Sequence, residues 1–148
     1  MASKFLATGD HVHGLILRLT LGIVIFPHGV QKLLGWWGGG GWSGTIGYFE
    51  QAWGIPAVVT MLIIIAEFFG SLGLIFGFLT RLCAGAIALI MLGAIYFQHA
   101  EVGFFMNWGD DQGGEGFEFH LLAIGIAVTL LVVGAGKASV DRALAGRR

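Results

Sequence analysis

Residues 57–79, AVVTMLIIIAEFFGSLGLIFGFL, hold a single ionisable side chain, Glu67, in an otherwise apolar run. A helix crosses the hydrocarbon core of a bilayer with about 20 apolar residues, so this run is long enough to span. Three further runs approach that length, at about 14–34, 82–99 and 117–135. A chain so built has few folds open to it. In lipid every backbone N–H and C=O has to be satisfied within the chain, which leaves helices packed as a bundle. Composition agrees: 56% of the 148 residues are hydrophobic and 11% are charged, against about 25% charged in an ordinary soluble domain. The sequence therefore predicts an all-α integral membrane protein, a four-transmembrane-helix bundle in one domain over residues 1–148.

Several classes are excluded at once. No basic run suits nucleic acid. Cys83 is the only cysteine, so neither an internal disulfide nor a dithiol redox pair can form, and Cys83 reads as a small apolar helix residue. The N-terminal MASKFLATGDHVHG is polar, and no small-residue cleavage pattern follows promptly, which argues against a signal peptide.

Lysine and arginine set the expected orientation. Lys4, Arg18, Arg81, Lys137, Arg142, Arg147 and Arg148 fall on one side of the spans and only Lys32 on the other. The positive-inside rule puts both termini in the cytoplasm. The loops at 35–56 and 100–116 then face outward, carrying Glu50, Glu101, Asp110, Asp111 and Glu115 and no lysine or arginine. They also hold all five tryptophans. Tryptophan and tyrosine favour the headgroup zone, where an apolar ring and a polar edge are both satisfied. SGTIGYFEQAWGIP predicts a short interfacial helix started by Ser43 or Thr45 and stopped before Pro56. The outer aromatics form either a lid over the bundle or a plain belt around it.

Ionisable groups within a span are costly and are functional candidates by default. Arg18 lies about four residues inside the cytoplasmic edge, where it either snorkels to the headgroups or enters a buried ion pair. Glu67 sits about ten residues into its span, roughly 15 Å from either edge, too deep to snorkel. It must be protonated, paired or exposed to a wet cavity. On the same stripe Gly70, Leu74 and Gly77 suit close packing against a neighbouring helix. His28 and Lys32 are four residues apart and share a face of the first span. Pro27 removes a helical hydrogen bond there and predicts a kink. Lys32 alone can also reach the headgroups. His99 ends the third span, as a site or an interface residue. Glu118 and His120 open the fourth, about 200° apart on a helix, so Glu118 is taken as pointing inward and His120 elsewhere.

The outer half of the bundle thus gathers His28, Lys32, His99 and Glu118, with Glu67 beneath. A polar cluster among apolar helices under aromatic cover suggests a ligand pocket. Such groups can hold a quinone carbonyl and move its protons, with Glu67 and Glu118 as the proton-handling carboxylates and His28, Lys32, His99 and Arg18 as binding groups. Two histidines could instead ligate haem. No HxxxH or HExxH pair lies on one helix, so no metal site is expected.

At these residues the chain resembles the DoxX family of small bacterial membrane proteins. The matching pieces are LRLTLGIVIFPHGVQKLLG, GYFEQAWGIP, AEFFGSLGLIFGFLTRLCA and GFEFHLLAIGIAVTLLVVGAGKASVD. Their order and spacing, more than any one motif, carry the resemblance from residue 14 to 141. It implies a four-helix protein of the bacterial inner membrane and, as the activity named within the family, oxidoreduction. Relatives include the DoxD-type subunit of thiosulfate:quinone oxidoreductase, and a mycobacterial DoxX is the membrane part of a complex with soluble redox enzymes. The family positions that carry over are Arg18, Gly22, His28, Gly29, Lys32, Glu67, Gly70, Gly77, Arg81, Glu118, Gly134, Gly136 and Asp141. The WWGGGGW stretch falls outside the match. Three readings remain: a quinone-linked oxidoreductase subunit in the bilayer, a non-catalytic anchor or assembly subunit for a soluble redox partner, and a small-molecule transporter built as a homo-oligomer.

Overall fold

The computed structural model describes residues 6–146. Lys4, Arg147 and Arg148, part of the charge asymmetry, lie outside the described residues. Every regular element among those described is helical. Helix α1 spans Val12–Leu34, and a 3-10 turn at Trp36–Gly38 leads into α2, Gly41–Trp53. Helix α3 is Ala57–Phe76, and α4, Thr80–Ala94, is continued by a π-helical turn at Ile95–His99. Helix α5 is Glu118–Val133 and the short α6 is Val140–Ala145. Val12–Leu34, Ala57–Phe76 and Thr80–His99 are long and apolar enough to cross a membrane. Helix α5 is equally apolar in character but has 16 residues, short of the expected 117–135.

The boundaries have local causes. The His11 ring accepts from the Gly14 N–H and caps the start of α1. Gly35 ends it in the left-handed region at φ 76°, a conformation that glycine adopts without a Cβ clash. Pro27, expected to mark a kink, lies inside one continuous helix. Gly77 (φ 67°) ends α3 in the same way, three residues before the expected limit. Helix α2 starts at Gly41 after Gly40, without a side-chain cap, so neither Ser43 nor Thr45 starts it. Instead Thr45 donates from its hydroxyl to the Lys32 carbonyl and pins α2 to the end of α1.

The helices run alternately up and down, so the turns at 35–56 and 100–117 share one end, called here the lid end, and the termini share the other. Leu21, Ile25, Leu74, Ile87, Ala127 and Leu130 fill the core. Helices α1 and α3 approach most closely. A Cβ at Gly29 would lie 2.7 Å from the Phe68 Cα, and one at Gly22 would lie 2.9 Å from the Ser71 carbonyl oxygen. The small residues that set this contact are thus on α1. Gly70, expected to do so from α3, has only the Ile87 Cδ1 near its Cβ position, at 3.9 Å. Gly29→Ala should lower stability by about 2 kcal/mol, because backbone has to move to admit the methyl. Gly125→Ala, with nothing within 4 Å, should be neutral or slightly stabilising. Denaturant unfolding in detergent followed by circular dichroism checks both, and equal effects would refute the close-approach account.

At the terminal end Arg18 is 1% exposed. It neither snorkels nor pairs with a carboxylate. Its guanidinium donates to the carbonyls of Ala135 (3.1 Å), Leu74 (3.2 Å), Ile75, Lys137 (3.1 Å) and Ala138 (2.7 Å). Beside it Asp141 accepts from the N–H groups of Leu79 (2.7 Å) and Thr80 (2.9 Å), a carboxylate cap on the positive end of α4. Arg81 donates to the Leu131 and Val132 carbonyls. On the surface Arg142 donates to Asp10, and that hydrogen bond holds the Asp10 carboxyl below its ordinary range. Cys83 packs with its Sγ against Gly73, as a small apolar residue would.

Candidate functional site

The lid end encloses a cleft of about 910 Å³. Its cover comes from α2, whose Phe49 and Trp53 line it and stack edge to face at 4.7 Å. Trp53 also meets Phe97 at 6.4 Å, which joins α2 to the π-helical turn. Trp36, Trp37, Tyr48 and Trp108 are exposed, between 56% and 87%. Both aromatic readings therefore hold in part: α2 forms a lid and the remaining rings face outward.

His28, Lys32, Glu67 and His99 line the cleft, so four of the expected binding or proton-handling residues come together. The sequence reading missed how two of them are joined. Lys32 Nζ lies 2.7 Å from Glu67 Oε2, with side chains 24% and 4% exposed. Lys32 does not reach out to the headgroups; it turns back along α1 to Glu67. The close approach at Gly29, one turn before Lys32, brings the two backbones near enough for the contact. Glu67 is thereby paired, one of the outcomes its depth demanded. A buried ion pair of this kind forms two charges that a ligand with a carbonyl or hydroxyl can contact together.

Arg18 does not join the cleft. It lies at the terminal end, and its donors are taken by carbonyls. Glu118 does not line it either: its Oε1 accepts from the Met106 N–H at 2.9 Å and holds the returning loop. His120 occupies the inward position instead. It is 7% exposed, lines the cleft, and its ring centroid lies 4.2 Å from that of His99. The 200° separation of residues 118 and 120 is sound, but the inward member is reversed. His120 shares a buried stripe with Ala123, Ala127 and Leu130, and that spacing was the signal available in the sequence. Its Nδ1 is buried with no partner. His99 Nδ1 lies 2.7 Å from the Glu115 carbonyl oxygen, so the pair of imidazoles is tied to the loop at 103–118. That loop is held by three backbone bonds between residues 103–105 and 116–118.

An all-helical bundle with three membrane-length helices and its only deep ion pair beneath an aromatic lid, among the described residues, defines a multi-pass membrane protein with a ligand-sized cleft. Residues 13–100 match the family model described as DoxX, and the chain belongs to the DoxX family. It is 34% identical to the inner membrane protein YqjF of Escherichia coli (strain K12) over 135 residues, 91% of this chain and 94% of that protein. It is 30% identical to a Bacillus subtilis (strain 168) protein named "Putative oxidoreductase CatD" over 116 residues, 78% of this chain and 76% of that one. No solved structure matches. The chain is a multi-pass protein of the bacterial inner membrane, embedded in the lipid bilayer.

Proposed function

We propose that this protein crosses the membrane four times with both termini in the cytoplasm, and that its cleft, in the outer half of the bundle, binds a quinone as the membrane subunit of an oxidoreductase. The orientation is supported by Arg18, Arg81, Lys137 and Arg142 at the terminal end and the positive-inside rule. The observation that carries the binding reading is the Lys32–Glu67 pair at 2.7 Å with His28, His99 and His120 around it, in a mostly apolar cleft. The oxidoreductase reading draws on the name of the Bacillus subtilis relative.

The residues present fit a quinone. A bound quinone supplies the two-electron, two-proton couple. Lys32, His28, His99 and His120, all of which line the cleft, would supply the hydrogen bonds to its ring oxygens. As the carboxylate partner of Lys32, Glu67 would accept a proton released by a bound quinol. Phe49 and Trp53 exclude water, which strengthens each of these contacts. In this reading the electrons of the couple are exchanged with a redox partner.

The test uses a variant whose only tryptophan is Trp53, reconstituted in liposomes and titrated with decyl-ubiquinone, a quencher of indole fluorescence. Saturable quenching is expected, and His28→Leu should weaken binding about tenfold, the worth of one hydrogen bond in a dry site. Unchanged binding in both His28→Leu and the Lys32→Met/Glu67→Leu double variant would defeat the reading. A visible spectrum of the purified protein with haem bands would replace it by a haem reading.

A further inference from the structure

We propose that the cleft opens sideways into the bilayer between α3 and α4, and that the isoprenoid tail of the quinone lies in this doorway while the ring reaches Lys32 and Glu67. The identity of the occupant rests on the functional reading above; the doorway rests on geometry.

Helices α3 and α4 are joined by a tight turn at the terminal end and separate as they leave it. Near the turn a Cβ on Gly73 would lie 2.6 Å from the Cys83 Sγ. One turn nearer the lid, the Cβ position of Gly70 is 3.9 Å from the Ile87 Cδ1. Further along, Gly93 has nothing within 4 Å. The gap is flanked by Val59 and Leu89, which line the cleft and are 41% and 70% exposed. In the proposed doorway both would meet lipid. The Trp53–Phe97 contact limits the gap on the lid side.

The polarity of the cleft indicates what enters. Its charged groups are Lys32 from α1, Glu67 from deep in α3 and Glu115 from the lid-end loop, whereas the doorway residues Val59, Ile63, Leu89 and Gly93 are apolar. A water-soluble molecule would have to pass the aromatic lid; an amphiphile with a polar ring and a hydrocarbon tail meets matching chemistry at each step. Gly93 sits inside a helix, where glycine is less favourable than alanine, and no neighbour forbids a side chain there. What its missing Cβ provides is open space at the doorway.

Two measurements test this on the full chain in liposomes. In a Cys83→Ala background, Gly93→Cys carries a nitroxide label, and its relaxation by oxygen, which concentrates in the bilayer, is compared with that by a water-soluble nickel chelate. A mobile label relaxed several-fold more by oxygen is expected. Greater relaxation by the chelate means a cleft open to water and overturns the doorway. An immobile label shielded from both means that protein, such as a second copy, covers the gap, and overturns it equally. In the second measurement Gly93→Leu should weaken decyl-ubiquinone at least about tenfold, the worth of about two buried methylenes, and leave tailless ubiquinone-0 nearly unchanged. An equal effect on both removes the tail from the doorway. If neither quinone binds the parent protein, the functional reading and the assigned occupant fail while the nitroxide result still decides the doorway.

Discussion

Glu67→Leu should lower the stability of the protein by about 3 kcal/mol, and adding Lys32→Met should recover most of that loss while abolishing quinone binding. Removing one member of a buried ion pair leaves the other as an uncompensated charge, at a typical cost of about 3–5 kcal/mol. The lower end applies here, because the Lys32 side chain keeps 24% of its surface exposed and retains some solvation. Replacing both members by apolar residues of similar size is often neutral or stabilising, so Lys32→Met/Glu67→Leu should match the parent within about 1 kcal/mol. The cycle separates two roles that either single variant confounds. A structural tie predicts that the double variant regains both stability and binding. A ligand site predicts that it regains stability alone. Unfolding by a denaturing detergent and Trp53 quenching on the same samples give the two readouts. A double variant that binds quinone like the parent would leave the pair a structural tie.

The helices and their order were legible because the bilayer imposes a length, and a run such as 57–79 can meet it in one way. The local chemistry of their ends was less so: Gly77 ends α3 at Phe76 although Phe78 and Leu79 are as apolar as what precedes them. In the site, His28, Lys32, Glu67 and His99, grouped in the sequence by depth and face, line one cleft. The pairing of Lys32 with Glu67 was hidden because it spans two helices, and the clue to it, the spacing Gly22, Gly29 and Lys32 on one face of α1, shows only once a partner backbone is there to approach. Between Glu118 and His120 the separation in the sequence alone does not say which points inward. The decisive pattern was packing: His120, Ala123 and Ala127 form the inward stripe, while Glu118 sits where the loop needs an acceptor for the Met106 N–H. Arg18 defeated both expectations for a different reason. Its partners are backbone carbonyls, and no side-chain pattern announces those.

That arrangement makes Arg18 the second large effect. A guanidinium has five N–H donors in a fixed fork, and each of them meets one carbonyl here: Nε donates to Ala135, one terminal nitrogen to Leu74 and Ile75, the other to Lys137 and Ala138. Leu74 and Ile75 belong to the last turn of α3, the negative end of the helix, which favours a cation, and the Leu74 carbonyl also accepts from the Gly77 N–H at 3.1 Å. The other three belong to the segment between α5 and α6, so one side chain ties the second half of the bundle's terminal end to the first. Arg18→Leu removes a donor from each of these carbonyls, and at roughly 1 kcal/mol for each unmade bond the loss should be about 4 kcal/mol. Arg18→Lys should recover less than half, since an ammonium brings three donors at one point rather than five in a plane. Because Arg18 lies away from the cleft, the fraction of either variant that folds should bind decyl-ubiquinone with parental affinity. Unfolding in detergent and the Trp53 titration measure the two quantities. Parental stability in Arg18→Lys would show that a single positive charge, rather than the match of five donors to five carbonyls, is what this end of the bundle requires.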